Sequence, residues 1–194
     1  MACDYASSSF NSSPSVNATA TATWTCSSTA RSLVANGLPD HAVGSFPNVD
    51  NPNTITVQSI AASVTLAPTA TSVVTPRVGP MDKPGVALNG IFFDPGTAGT
   101  CNDSGTCQQG GQAVGNWSLE ALGQTAFKWG TDTSNAHVQP DGKYHYHGIP
   151  EGLVTKLSIP AFNNVPASSP HWRCWPPARC GSLKECCRLL EAAA

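Results

Sequence analysis

Residues 137–148, HVQPDGKYHYHG, constrain the fold of this chain more tightly than any other stretch. Pro140, Asp141 and Gly142 are turn chemistry. Proline fixes φ at the second turn position, aspartate tolerates the bridge region and glycine supplies φ > 0. A three-residue loop over them makes Gln139 and Lys143 the flanking pair. The register then places Val138 opposite Tyr144 and His137 opposite His145. Strand side chains alternate, so His147 shares the face of His145. Opposed Cβ atoms lie ~5 Å apart and diagonal ones ~7–8 Å. The stretch therefore predicts an antiparallel hairpin with His137, His145 and His147 on one face and Val138, Tyr144 and Tyr146 on the other.

Three neutral imidazoles at that separation suit a divalent metal with an open coordination position: zinc first, with copper or iron accepting the same donors. The competing reading is structural, with the histidines packed on the tyrosines and bonded to backbone. The carboxylates placed to accompany the trio are Asp94, which ends the FFD run, and Glu151, which follows the hairpin closely. Asp141 reads as a turn former pointing away from the histidine face, and Glu120 as a solvated surface group. An oxygen set suited to calcium is also present in Asp94, Asn102 and Asp103, without the EF-hand pattern.

Beyond the hairpin, only 11% of residues are charged and the formal net charge is −2. That argues against a nucleic-acid partner, which requires clustered Lys and Arg. No apolar run approaches the ~18 residues of a membrane-spanning helix, so membrane insertion is not expected. Low charge with many β-branched residues favours strands. Strands are predicted over 20–28, within 54–68, over 71–78 and over 85–96, the last as one apolar strand closed by Asp-Pro-Gly. Asn116 or Ser118 as a cap predicts a helix over 116–124, and Ser182 with Glu185 predicts another over 182–194. The expected fold is one mainly β, antiparallel β-rich domain with one or two short helices. Residues 1–20, small and polar, are expected to be disordered or loosely ordered. The β domain is assigned to 21–157, and 158–194 to a tail of different character.

Eight cysteines are many for a reducing compartment. Cys101 and Cys107 close the short loop CNDSGTC and predict a local disulfide; Cys3–Cys26 is a second candidate. Cys174, Cys180, Cys186 and Cys187 lack paired C-x-x-C knuckles, which disfavours a zinc ribbon. The N-terminal stretch has no basic start followed by an apolar core, so it does not read as a signal peptide. No G-x-S-x-G, H-E-x-x-H, Walker A or G-x-G-x-x-G motif occurs.

The stretch AHVQPDGKYHYHGIPEGLV (136–154) closely resembles the YHYH-domain proteins, named for this tetrapeptide. NGLPDH (36–41), FPNVDNPN (46–53), ALNGIFFDPGTA (87–98) and WSLEAL (117–122) resemble further blocks of that family in the same order. The resemblance runs over ~24–157 by these pattern blocks. It implies Asn36, Asp40, His41, Asn89, Asp94, His137, Tyr144, His145, Tyr146 and His147 as the family's positions here. It also implies an exported, extracytoplasmic protein, and supplies a fold more than an activity. Beyond Leu157 the chain departs from the pattern. PHWRCWPPARCGSLKECCRLLEAAA reads as a frame-shifted or vector-derived end, leaving the family's second half incomplete.

Two functions follow as expectations. The first is a metal-dependent hydrolase of a small ester or lactone. His137, His145 and His147 would be ligands, Glu151 or Asp94 the base, and the bound water would have its pKa lowered toward ~7. The second is a non-catalytic extracytoplasmic module binding metal, carbohydrate or a surface, with Tyr144, Tyr146 and the tryptophans as an aromatic platform. Strand edges left by an incomplete sheet would favour self-association.

Overall fold

In the computed structural model, residues 4–70, 72, 84–94, 96–109, 114–123, 125 and 127–157 are described. One compact unit spans Met1–Leu153, and a second begins at Val154. The first holds eleven strands among its described residues: β1 (Tyr5–Asn11), β2 (Ala18–Cys26), β3 (Ala30–Ala35), β4 (Ile60–Thr65), β5 (Gly85–Val86), β6 (Phe92–Phe93), β7 (Gly96–Cys101), β8 (Cys107–Gln108), β9 (Trp117–Glu120), β10 (Ala136–Val138) and β11 (Tyr144–Tyr146). One six-residue helix, α1 (Glu151–Lys156), follows. The mainly β, antiparallel expectation holds.

The strands form three sheets, ordered β1-β2-β3-β4, β10-β11-β6-β5 and β8-β7-β9. The first is an antiparallel meander. Its alternation is visible in β2, where Ala20, Ala22 and Trp24 are buried between exposed threonines. Ala22, Trp24, Leu33, Ala35 and Ile60 make the core, with Val86 and Phe92 of the second sheet packed on it. The Trp24 indole donates to the Leu88 carbonyl at 2.9 Å, so the second sheet is pinned to the first.

Three expectations are corrected. Residues 1–20 are not loosely ordered throughout: Tyr5–Asn11 pairs along its whole length with β2. Backbone hydrogen bonds supply what its small side chains lack, and the buried Asn11 amide donates to the Pro39 and His41 carbonyls at 2.8 and 2.7 Å. Residues 85–96 are not one strand, because the chain reverses between β5 and β6. Ala87 N–H donates to Ile91 O (2.8 Å) and Gly90 N–H to Ala87 O (2.9 Å). Residues 117–120 of the expected helix form β9 against β7. So short a helix is marginal in isolation, whereas the β7 edge offers immediate backbone partners. The Trp117 indole donates to Asp103, and Leu119 is buried. The expected strand over 71–78 and helix over 182–194 lie outside the described residues, Ser72 apart. The helix α1 has no counterpart in the sequence reading.

The Cys101–Cys107 disulfide is present and closes the β7–β8 turn. Cys26 is disulfide-bonded, and Cys3, its expected partner, lies outside the described residues.

Candidate metal centre

The hairpin adopts the expected register. Ala136 pairs with Tyr146, His137 with His145 and Val138 with Tyr144. Gln139 N–H donates to Lys143 O and Gly142 N–H to Gln139 O, both at 2.9 Å. Gly142 has φ +84°, and a Cβ there would lie 2.0 Å from the Thr56 hydroxyl oxygen. Only glycine fits the turn. Asp141 is the expected turn former, accepting from Lys143 N–H and pairing with the Lys143 ammonium.

All three histidines are buried and bring one nitrogen each within 4.8 Å of one another. His145 Nε2 lies 2.9 Å from His147 Nε2, which lies 3.1 Å from His137 Nε2. His137 Nδ1 stands 2.6 Å from the Trp129 carbonyl, and His145 Nδ1 3.3 Å from the Lys143 carbonyl. A carbonyl only accepts, so each Nδ1 carries the hydrogen and, in a neutral ring, each Nε2 presents a lone pair. His147 Nε2 carries at most one hydrogen for two lone pairs to share. A divalent cation would meet all three nitrogens at once. Tetrahedral zinc with ~2.0–2.1 Å bonds sets neighbouring nitrogens ~3.3 Å apart, a few tenths from the observed separations. Burial pushes the His137 imidazole below its ordinary pKa, opposed by its bond to the Trp129 carbonyl and by the charge of Asp132. The depressed value favours the neutral ring that a metal requires.

The trio opens into a cleft of about 660 Å³ that Asp94, Lys128, Trp129 and Gln139 also line. Asp94 reaches it through the parallel pairing of β11 with β6. Tyr146 is registered with Phe93, and Asp94 N–H donates to Tyr146 O at 2.8 Å. Asp94 therefore follows alongside His147, and alternation turns both toward the cleft. Its side chain is 1% exposed, and one carboxylate oxygen accepts from the Gln139 amide at 3.1 Å. It lies outside the three-nitrogen cluster, in which no fourth His, Cys, Asp or Glu takes part among the described residues. Glu151 is exposed in the first turn of α1 and is not part of the cleft lining. Of the oxygen set considered for calcium, Asn102 accepts from Thr106 N–H and the Ser104 hydroxyl, and Asp103 from the Trp117 indole.

The opposite face of the hairpin is core. Tyr144 and Tyr146 are 3% and 0% exposed, which removes them from any surface platform. The Tyr146 hydroxyl meets His41 Nε2 at 2.7 Å and the Asn89 amide at 2.9 Å; that amide also donates to Asp40 at 2.9 Å. The Tyr144 hydroxyl donates to Asp132 at 2.8 Å. Burial first, and Asp132 next, push the Tyr144 phenol far above its usual range; burial does the same to Tyr146. Both stay O–H donors. Asn36 instead braces the first sheet, donating to Thr19 O and accepting from Thr21 N–H.

Asp132 and the Trp129 carbonyl carry no mark of the site in the sequence, where Gln139 stands out only as a turn-flanking residue. Asp132 opens a turn in which Ser134 N–H donates to its carboxylate and Asn135 takes φ +54°. The string TDTSN carried that turn signal. A backbone carbonyl such as that of Trp129 leaves no mark in a sequence. The FPNVDNPN block supports the outer edge of β10: the Asn51 and Asn53 amides both donate to Val138 O, at 3.0 and 2.8 Å.

No curated protein and no solved structure matches the chain. A family model described as YHYH protein matches residues 61–166. The match begins after the 36–41 and 46–53 blocks and runs past the expected boundary at 157. It contains the whole hairpin, Asn89, Asp94 and Asp132, and it covers more than half of the 194 residues. The chain belongs to the YHYH protein family.

Proposed function

We propose that the cleft is a metal-dependent hydrolytic centre for a small ester or lactone. The observation that carries the reading is the convergence of three buried imidazole nitrogens on a cleft that also holds a buried carboxylate, with no fourth acidic or sulfur ligand in the cluster among the described residues. Three ligands and an open position are the pattern of catalytic sites, whereas four protein ligands close a structural one. A divalent metal bound there, zinc foremost, supplies an activated water and polarises the carbonyl. Asp94 would serve as the base for such a water, its carboxylate oriented by the Gln139 amide. Glu151, exposed at the start of α1 and absent from the cleft lining, has no part in this reading. An extracytoplasmic setting accompanies it, supported by the Cys101–Cys107 disulfide.

The test is metal analysis of purified protein, then hydrolysis of a panel of small esters and lactones before and after EDTA, with restoration by zinc. The His145→Ala, His147→Ala double variant is expected to lose both metal and hydrolysis. Hydrolysis that survives chelation and the double variant would sink the proposal. Stoichiometric metal without turnover of any ester or lactone would make the site a non-catalytic metal centre instead.

A further inference from the structure

We infer that the hydroxyls of Tyr144 and Tyr146 are positioning groups that hold β11 where His145 and His147 meet His137, with Asp132 and His41 as their acceptors. The inference rests on the reading of the trio as a metal centre and explains why that strand alternates tyrosine with its ligands. His145 sits between the two tyrosines on β11 and His147 directly follows the strand, so each has a tyrosine as its chain neighbour, pointing into the opposite face.

The Tyr146 end can be assigned atom by atom. His41 Nδ1 lies 2.9 Å from the Ala42 carbonyl, so it bears the hydrogen. His41 Nε2 is then the acceptor, and the Tyr146 O–H donates to it at 2.7 Å. The same oxygen accepts from the Asn89 amide. His41, a fourth buried histidine, thus spends its ring on the tyrosine rather than on the cleft. At the other end the Tyr144 O–H donates to Asp132 Oδ2 at 2.8 Å, an oxygen that also accepts from Gly44 N–H at 3.1 Å. Asp132 N–H in turn donates to Ala136 O at 2.8 Å, next to His137. The link from Tyr144 therefore runs into the loop that delivers the third ligand, whose ring is itself oriented by Trp129 of that loop.

Phenylalanine would fill nearly the same volume at either position. What the hydroxyl adds is direction, because a hydrogen bond fixes the height and rotation of the strand where apolar packing permits sliding. Ligand geometry has to be held to ~0.5 Å for a site to work. Packing alone leaves that precision to chance, and two anchored phenols at the ends of a three-residue strand do not.

The test uses the full chain. Cobalt(II) serves as the probe, titrated against a chromophoric chelator, with its visible absorption reporting coordination geometry. Tyr144→Phe, Tyr146→Phe and Asp132→Asn are expected to keep the far-ultraviolet circular dichroism of the wild type. They should bind cobalt more weakly by up to about 10-fold, the lower end of what losing a ligand's direct hydrogen-bond partner costs, because they hold the strand and loop and not the rings themselves, with an altered visible spectrum. His41→Gln, whose side-chain oxygen can still accept from Tyr146, is expected to recover part of the affinity that His41→Ala loses. Leu33→Val, a core change in the first sheet, controls for lost stability and should leave cobalt affinity within about twofold, as expected for a distant, independent site. Wild-type affinity and spectrum in both Tyr→Phe variants would overturn the inference. Should the wild type take up no cobalt, the metal reading falls, and long-range proton–nitrogen correlations of the imidazoles in the metal-free protein decide the positioning role. Unchanged ring tautomers and shifts in both variants would then overturn it.

Discussion

Gly130→Ala is expected to damage the histidine cluster from behind, through the loop whose Trp129 carbonyl orients His137. Gly130 has φ +61°, and a Cβ there would lie 2.5 Å from Asn48 Oδ1, 2.7 Å from Asn51 Cβ and 2.8 Å from Asn51 N. The asparagine oxygen cannot swing aside cheaply, because it accepts from Asp50 N–H at 3.0 Å and Asn51 N–H at 2.8 Å. A left-handed alanine costs about 1–2 kcal/mol and forced overpacking about 1–3 kcal/mol, together roughly 2–5 kcal/mol. In a unit of this size each kcal/mol moves the melting temperature by about 2–4 °C, so a fall of roughly 5–20 °C is expected. The site should respond as well. Trp129, directly before Gly130, holds His137 Nδ1 through its carbonyl, and a shift of that loop releases the ring. Thermal melts and urea unfolding measure the first effect, and cobalt titration the second, with about a tenfold loss of affinity expected from the freed ring. Asn48→Ala removes one obstacle, so Gly130→Ala should cost less in that background. A Gly130→Ala protein that melts within about 1 °C of the wild type would refute the steric reasoning. One that melts low yet binds cobalt normally would refute the link from loop to ligand.

Asp94→Asn is expected to retain bound metal and lose turnover by about 10²- to 10⁴-fold, the span of general-base catalysis. Metal analysis alongside kcat separates the two, and loss of the metal itself would recast Asp94 as a ligand. The metal-free protein is expected to lose stability on acidification. Burial lowers the His137 pKa in the fold, so below the unfolded value of ~6.5 the unfolded chain takes up a proton that the folded one resists. Stability is therefore fully present above that value and falls as pH drops toward the depressed folded pKa. Urea midpoints across pH 7.5 to 5 measure this, and a midpoint that rises on acidification would contradict it. The metal-loaded protein should fall more steeply, because protons compete for the same nitrogens.

The sequence by itself determined the hairpin. Turn chemistry at Pro140, Asp141 and Gly142 sets the register, and a period of two sorts the histidines from the tyrosines. Both are local rules acting within a dozen residues, and the observed pairs of His137 with His145 and Val138 with Tyr144 obey them. The Cys101–Cys107 closure was legible for the same reason, since a short polar loop holds its two sulfurs near each other. The segment 116–124 shows where local rules stop: its spacing suits a helix, but the free edge of β7 makes residues 117–120 a strand. Tertiary structure alone decided what stands around the trio. Asp94 arrives through a parallel pairing between residues far apart in the chain, while Glu151, much nearer in sequence, is left outside. Asp40 and His41, from the connection after β3, and Asn89, from the β5–β6 reversal, gather at the Tyr146 hydroxyl only because the first sheet's connection folds over the back of the hairpin's own sheet. Which nitrogen of His41, His137 and His145 presents its lone pair depends on backbone carbonyls, at Ala42, Trp129 and Lys143. Every residue carries a carbonyl, so no side-chain pattern can announce which one a distant ring will meet.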